Sequence, residues 1–157
     1  MANHTLSYKR AKEEKDWEMM LSIEKMFANS KTYFAFTKLE DIKAFLGKEI
    51  SYLVFLNNEP VGEAAYELKD DGKKAYISTL VVVPEYQGKG IATKIFNKII
   101  KEIIDKPAVE NVELITHPKN NAALVIYLKN GFEIVEWQDN PFGDGEPRLK
   151  LRKIISR

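Results

Sequence analysis

Gln87, Gly88, Lys89 and Gly90 stand between an apolar run that stops at Pro84 and a segment whose isoleucines, at 91, 95, 99 and 103, fall on one helical face. A helix N-terminus offers unpaired N–H groups and about half a positive charge, so it attracts anions. Glycine lets backbone approach such an anion closely. The chemistry this pattern suggests is a phosphate cradle over Gly88–Thr93, and the plain alternative is a turn with a glycine start. A P-loop needs G-x-x-x-x-G-K-[ST], which is absent. A dinucleotide fold needs G-x-G-x-x-G close behind its strand and an acid ending the next one. Here "GKGIAT" lacks the third glycine, Pro84 to Gln87 intervene after the apolar run, and the next strand ends in Thr116-His117. The remaining pattern is Q/R-x-x-G-x-G/A, which "QGKGIA" (87–92) meets through Gln87, Gly90 and Ala92.

The elements that must position this loop follow from periodicity and turn chemistry. Strands are predicted at 5–11, 52–56, 61–68, 75–83, 112–116, 132–137 and 148–154, from β-branched and aromatic runs bounded by turn residues. Helices are predicted at 12–30, from a capping box Thr37–Glu40 to about Leu46, from the glycine loop to about Ile104, and at 120–130 with Gly131 closing it. The stretch 141–147, "PFGDGEP", is a Gly/Pro loop. The order β α α β β β α β α β β puts hairpins first and crossover helices later. It predicts one α/β domain over 1–157, a mixed, mostly antiparallel sheet with helices on both faces.

With strands in this order, "QGKGIA" resembles the coenzyme A loop of the GNAT N-acetyltransferase superfamily. A second stretch, "NNAALVIYLKNGF" (120–132), is similar to that family's N-x-x-A-x-x-x-Y-x-x-x-G-F element through Asn120, Ala123, Tyr127, Gly131 and Phe132. The sequence match is concentrated in 76–137. The resemblance implies a GNAT-like acyl-CoA N-acyltransferase fold, with acetyl-CoA as cosubstrate and no metal. It implies that Gln87, Gly88, Lys89, Gly90, Ile91, Ala92 and Thr93 hold the pyrophosphate. The strand Leu80, Val81, Val82 and Val83 splays from its neighbour to bind the pantetheine arm, and Asn120 and Tyr127 complete that site.

The implied reaction is direct attack of an amine on the acetyl group. Tyr127 matches the family's general-acid tyrosine; its plain alternative is a core aromatic. Because a phenol near 10 is a weaker acid than a thiol near 8.5, hydrogen bonding would do most of the work at the leaving group. An alkyl ammonium near 10.4 is free base in about one molecule in 2,500 at pH 7, so a base or a water chain is expected. Many family members carry an acid on the strand before the glycine loop, and "YISTLVVV" has none. Glu63 and Glu67, on one face of their strand, and His117 are the candidates, each with a structural alternative. His4 has no assigned role. Asp139, Asp144 and Glu146 suggest a docking mouth for a cationic amine, unless Arg148 pairs with them.

Composition sets the outer bounds. With 24 basic and 23 acidic residues interspersed, no charge excess argues for a nucleic-acid or membrane partner. The absence of cysteine excludes disulfides and a thiol nucleophile, and two histidines without ligand spacing make a poor metal site. The first ten residues lack the apolar core of a signal peptide, and no apolar run nears the roughly 18 residues of a membrane span. A cytoplasmic enzyme, monomer or homodimer, acting on a small-molecule or peptide amine is expected. The alternatives are a non-catalytic acyl-CoA sensor on the same fold and an enzyme dedicated to protein N-termini.

Overall fold

The computed structural model describes residues 5–157, so His4 lies outside the described residues. Among the described residues, seven strands form one sheet: β1 (Leu6–Arg10), β2 (Ile50–Leu56), β3 (Glu59–Lys69), β4 (Lys74–Val82), β5 (Asn111–Thr116), β6 (Glu133–Gln138) and β7 (Arg148–Ile154). Their spatial order is β1-β2-β3-β4-β5-β7-β6. Every pairing is antiparallel except β4 with β5. That one parallel pair needs a crossover, which α3 (Ile91–Ile104) supplies. The expected mixed, mostly antiparallel sheet is what the chain builds.

Alternation along the strands splits the apolar side chains between two cores, one on each face. Val54, Ala64, Tyr66 and Val82 pack with Ile91, Ile95, Phe96, Ile99 and Ile103 of α3 and with Tyr127 of α4 (Asn121–Lys129). Leu53, Ala65, Val81 and Val83 pack on the other face with Trp17, Met20 and Ile23 of α1 (Glu14–Lys25) and Ile42 of α2 (Leu39–Phe45). The sheet is therefore covered by helices on both sides.

Two local expectations are corrected. α2 does not open on a Thr37 capping box; Lys38 occupies the cap in extended conformation and no side chain caps it. The chain just before it is already held elsewhere, because Glu24 accepts the Phe36 N–H at 3.0 Å and the Tyr33 hydroxyl at 2.8 Å. The same Glu24 anchor accompanies the end of α1 at Lys25 rather than near residue 30. Beyond it the Phe27 and Ala28 N–H groups bond only three residues back.

The feature that shapes the site is a splay. β4 and β5 pair only from Lys74↔Asn111 to Ile77↔Leu114, although β4 runs on to Val82 and β5 to Thr116. From Ser78 onward the two strands separate, and a cleft opens between them. β3 holds β4 closely from the other side. A Cβ on Gly62 would stand 2.5 Å from the Val81 carbonyl oxygen, so only glycine fits there.

Candidate active site

Two clefts meet at the splay. The larger, about 690 Å³, is walled by Leu80, Val81 and Val82 of β4, by Gln87, Gly88 and Gly90, by the first turn of α3, and by Asn120, Ala123 and Tyr127. The second, about 410 Å³, lies along the outer part of β4 and shares Thr32, Tyr33, Leu80, Asn120 and Tyr127 with the first. A group bound in one is thus next to a group bound in the other.

One end of the larger cleft is formed by the glycine loop and the start of α3. Gly88 and Gly90 have φ of +78° and +79°, a region glycine enters without strain, and a Cβ on either would meet nothing within 4 Å. The first intrahelical bond of α3 runs from the Lys94 N–H to the Gly90 carbonyl, so the N–H groups of Ile91, Ala92 and Thr93 precede the ladder. Among the described residues no side chain caps this end. Gln87 folds back, its amide donating to the Val82 carbonyl at 3.0 Å, which ties the loop to the strand end. Lys89 lies over the Tyr86 ring at 5.2 Å and Val83 is buried beneath, its N–H donating to Val61. Neither of these two forms part of the cleft wall.

The opposite wall comes from the second motif. The Asn120 side chain accepts the Ala123 N–H at 3.4 Å and so caps α4. Gly131, at φ +84°, closes the helix: its N–H bonds to Leu128 and that of Phe132 to Tyr127, a Schellman pair. That closure sets Tyr127 against Phe96 and Phe132, with ring centroids 5.3 and 6.1 Å away. Burial holds the Tyr127 phenol well above its ordinary value. It therefore keeps its hydroxyl proton through the neutral range.

The acetyltransferase (GNAT) family matches residues 14–132, more than half of the chain. The chain belongs to the GNAT acetyltransferase family. This GNAT chain is similar to N-alpha-acetyltransferase 50 of Danio rerio, 30% identical over 101 residues that make up 63% of the chain and 60% of that protein. The chain spans about half to three-fifths of the length of the curated relatives it matches first. Its fold matches the ribosomal-protein-S18-alanine N-acetyltransferase of Escherichia coli at a TM-score of 0.79, with 20% identity over 98% of this chain and 96% of that one. It also matches the aminoglycoside acetyltransferase AAC(6')-Ib in complex with coenzyme A at 0.75, with 20% identity over 96% and 95% of the two chains.

The candidate bases of this GNAT chain are dispersed. Glu67 lines the second cleft beside Lys69, at 3.2 Å. Glu63 shares its face of β3 but lies fully buried and lines neither cleft. His117 lines the second cleft with both ring nitrogens engaged: Nδ1 accepts the Lys119 N–H at 3.0 Å and Nε2 faces Glu146 at 2.9 Å. An Nδ1 that accepts leaves the proton on Nε2, so Glu146 is its acceptor.

The acidic docking mouth is also spent on internal contacts. Arg148, 2% exposed, pairs with Asp144 at 2.7 Å and lies 5.0 Å over the Phe142 ring. Asp139 accepts the Trp137 N–H at 2.8 Å. Each of the three carboxylates thus has a partner within the chain, which corrects the expectation of a carboxylate-lined entrance.

Sequence reasoning missed Glu49. It stands just before β2, lines the second cleft, and accepts the Ser78 hydroxyl. The pairing of β3 with β4 slips by one residue between Ala65 and Tyr66, leaving Ser78 without a partner in register, and that bulge accompanies the contact with Glu49. Burial, reinforced by Glu67 and opposed by Ser78 and Lys69, pushes the Glu49 carboxyl up to about 7. No spacing in the chain announces this, because the contact spans 29 residues.

Glu63 carries a separate consequence for stability. Neither of its oxygens has a hydrogen-bond partner among the described residues. Burial, then the neighbouring Glu24 carboxylate, holds its carboxyl well above the ordinary range. Below pH 4 the group is protonated in both folded and unfolded chains and costs nothing. Above its ordinary value the unfolded chain ionises and the folded one does not, so each further pH unit costs about 1.36 kcal/mol of stability until the folded value is passed. Glu63→Gln is therefore expected to melt higher than wild type at pH 8, with the gain shrinking towards pH 5. Parallel melting-temperature profiles for the two proteins would show that Glu63 does not hold a proton on folding.

Proposed function

We propose that this chain transfers the acetyl group of acetyl-CoA to a primary amine, on a small molecule or a peptide, by direct attack. The observation that carries the reading is the meeting of the two clefts at Leu80, Asn120 and Tyr127. The residues present suit the cosubstrate. The open, positive-φ glycines and the uncapped start of α3 suit a pyrophosphate, and the stretch of β4 left unpaired on its β5 side suits an amide-bearing arm. Acetyl-CoA supplies an acetyl group already activated as a thioester.

The chain supplies position and charge balance. Gly88, Gly90 and the first N–H groups of α3 hold the anionic end, with Gln87 bracing the loop. Ile91, Ala92 and Thr93 form the turn that carries those groups. Tyr127 donates a hydrogen bond where sulfur gains charge as it leaves. The alternative of a non-catalytic coenzyme A sensor drew its support from the missing acid on β4. Glu49, just before β2, brings an acid to β4 at Ser78.

The test is thiol release from acetyl-CoA with a panel of amines, scored together with product mass. A product heavier than its amine by one acetyl group, formed along with free thiol, is the expected result. Acetyl-CoA binding without release for any amine would favour the sensor.

A further inference from the structure

The second cleft has a composition that the fold itself does not require. Phe34, Phe36, Phe45, Tyr76 and Phe142 line it, and Phe34 and Phe45 are 55% and 60% exposed. Phe34 stacks on Phe142, with centroids 5.8 Å apart and planes 16° apart, and Phe36 lies 5.9 Å from Phe45. Large aromatic faces left in water around a concave site mark a place where apolar surface is to be covered. Against these walls stand two carboxylates, Glu49 and Glu67. The cleft also reaches Tyr127 and Leu80, the residues it shares with the cosubstrate cleft.

Charge narrows the choice further. The acids of the 139–146 loop are taken by Arg148, His117 and Trp137, so the cleft offers little to a multiply charged polyamine. Glu67 is held by Lys69, which also lies 4.8 Å over the Tyr76 ring. The acid that remains for a single ammonium is Glu49, bound to the neutral Ser78 hydroxyl.

We propose that this cleft takes a primary amine with an aromatic or branched aliphatic side group next to its nitrogen, and that Glu49 receives the proton the ammonium must lose. The inference rests on the acetyl-transfer reading above and names its acceptor class. The ammonium gives one proton to Glu49, and the freed lone pair forms the C–N bond to the acetyl carbon. The C–S bond breaks, and the second nitrogen proton ends on the departing thiol. Glu49 returns its proton to water at the cleft mouth. A carboxyl near 7 is suited to this exchange at neutral pH. Glu67, Lys69, Tyr76, Ser78 and Lys48 are the polar groups around it, and Arg148 and His117 stand across the cleft.

The experiment compares kcat/KM of the wild-type chain for phenethylamine, for a tripeptide amide beginning with Phe, for spermidine and for kanamycin. At least one of the two apolar acceptors is expected to exceed both hydrophilic ones by about 10- to 100-fold, the worth of burying one such side group. The leading arm tells whether the source is a free amine or a peptide N-terminus. Glu49→Gln is expected to lower kcat/KM for that acceptor by about 100- to 10,000-fold and to remove the rise of rate near pH 7. Phe45→Ala is expected to shrink the ratio between apolar and hydrophilic acceptors. Spermidine or kanamycin matching the apolar arms, or an unaltered pH profile in folded Glu49→Gln, overturns the proposal. The melting temperature with acetyl-CoA separates the two levels: if it still rises while the panel is inverted, only the acceptor class falls. If neither the rise nor any turnover is seen, the acetyl-transfer reading falls with it.

Discussion

A Gly90→Glu protein should fold and lose the rise in melting temperature that acetyl-CoA gives the wild-type chain. At 100 times its dissociation constant a ligand adds about 2.7 kcal/mol, which for a chain of this size is a rise of about 5 to 10 °C. Glutamate at this position has two separable effects. It forces a φ of +79° on a residue with a Cβ, costing about 1–2 kcal/mol, so the unliganded variant should melt a few degrees lower. It also sets a carboxylate at the start of α3, where a phosphate would lie, and the two anions repel. Gly90→Ala carries the first effect without the second, because its Cβ meets nothing within 4 Å. Alanine should therefore keep most of the acetyl-CoA rise while glutamate abolishes it. If both variants keep the full rise, the pyrophosphate does not sit on this loop.

Replacing Tyr127 by phenylalanine should lower kcat by about 100- to 1,000-fold, the loss seen when one hydrogen-bond donor to a developing anion is removed. The ring contacts with Phe96 and Phe132 do not involve the hydroxyl, so the fold and the acetyl-CoA melting shift should persist. The raised phenol sharpens the expectation. Tyr127 stays neutral well past pH 10, so it contributes no alkaline limb. The variant should give a lower pH-rate profile of the same shape. A change below threefold, with the chemical step shown to be rate-limiting, would make Tyr127 a packing residue.

Local signals carried most of the loop and helix geometry proposed to hold the cosubstrate. Gly88 and Gly90 were legible because positive φ and an uncapped helix start demand glycine. The i, i+4 isoleucines marked α3, and Asn120 with Gly131 marked both ends of α4. The proposed acceptor side was not legible, because its residues meet only in three dimensions. Glu49 meets Ser78 beside a register slip, and Phe34 meets Phe142 from a distant part of the chain. Glu63 and Glu67 look equivalent along the strand, yet one lies under α1 beside Glu24 and the other lines a cleft. The Thr37 capping box failed for a similar reason. A contact from Glu24 fixes the chain at Phe36, and the helix begins two residues past the threonine.

The splay of β4 from β5 divides the molecule by how freely it can be rewritten. The cradle is fastened to the sheet, and a close approach such as Gly62 on Val81 leaves it little latitude for sequence drift. Much of the aromatic wall stands outside the sheet, on the segment 32–36, at the end of α2 and on the loop between β6 and β7. Phe34, Phe45 and Phe142, all at least 39% exposed, belong to neither apolar core. On the proposed assignment of the two clefts, a lineage of such chains can keep one acyl donor and trade acceptors by altering those few side chains. The inheritance of chemistry and the inheritance of selectivity are thereby carried by different parts of the fold.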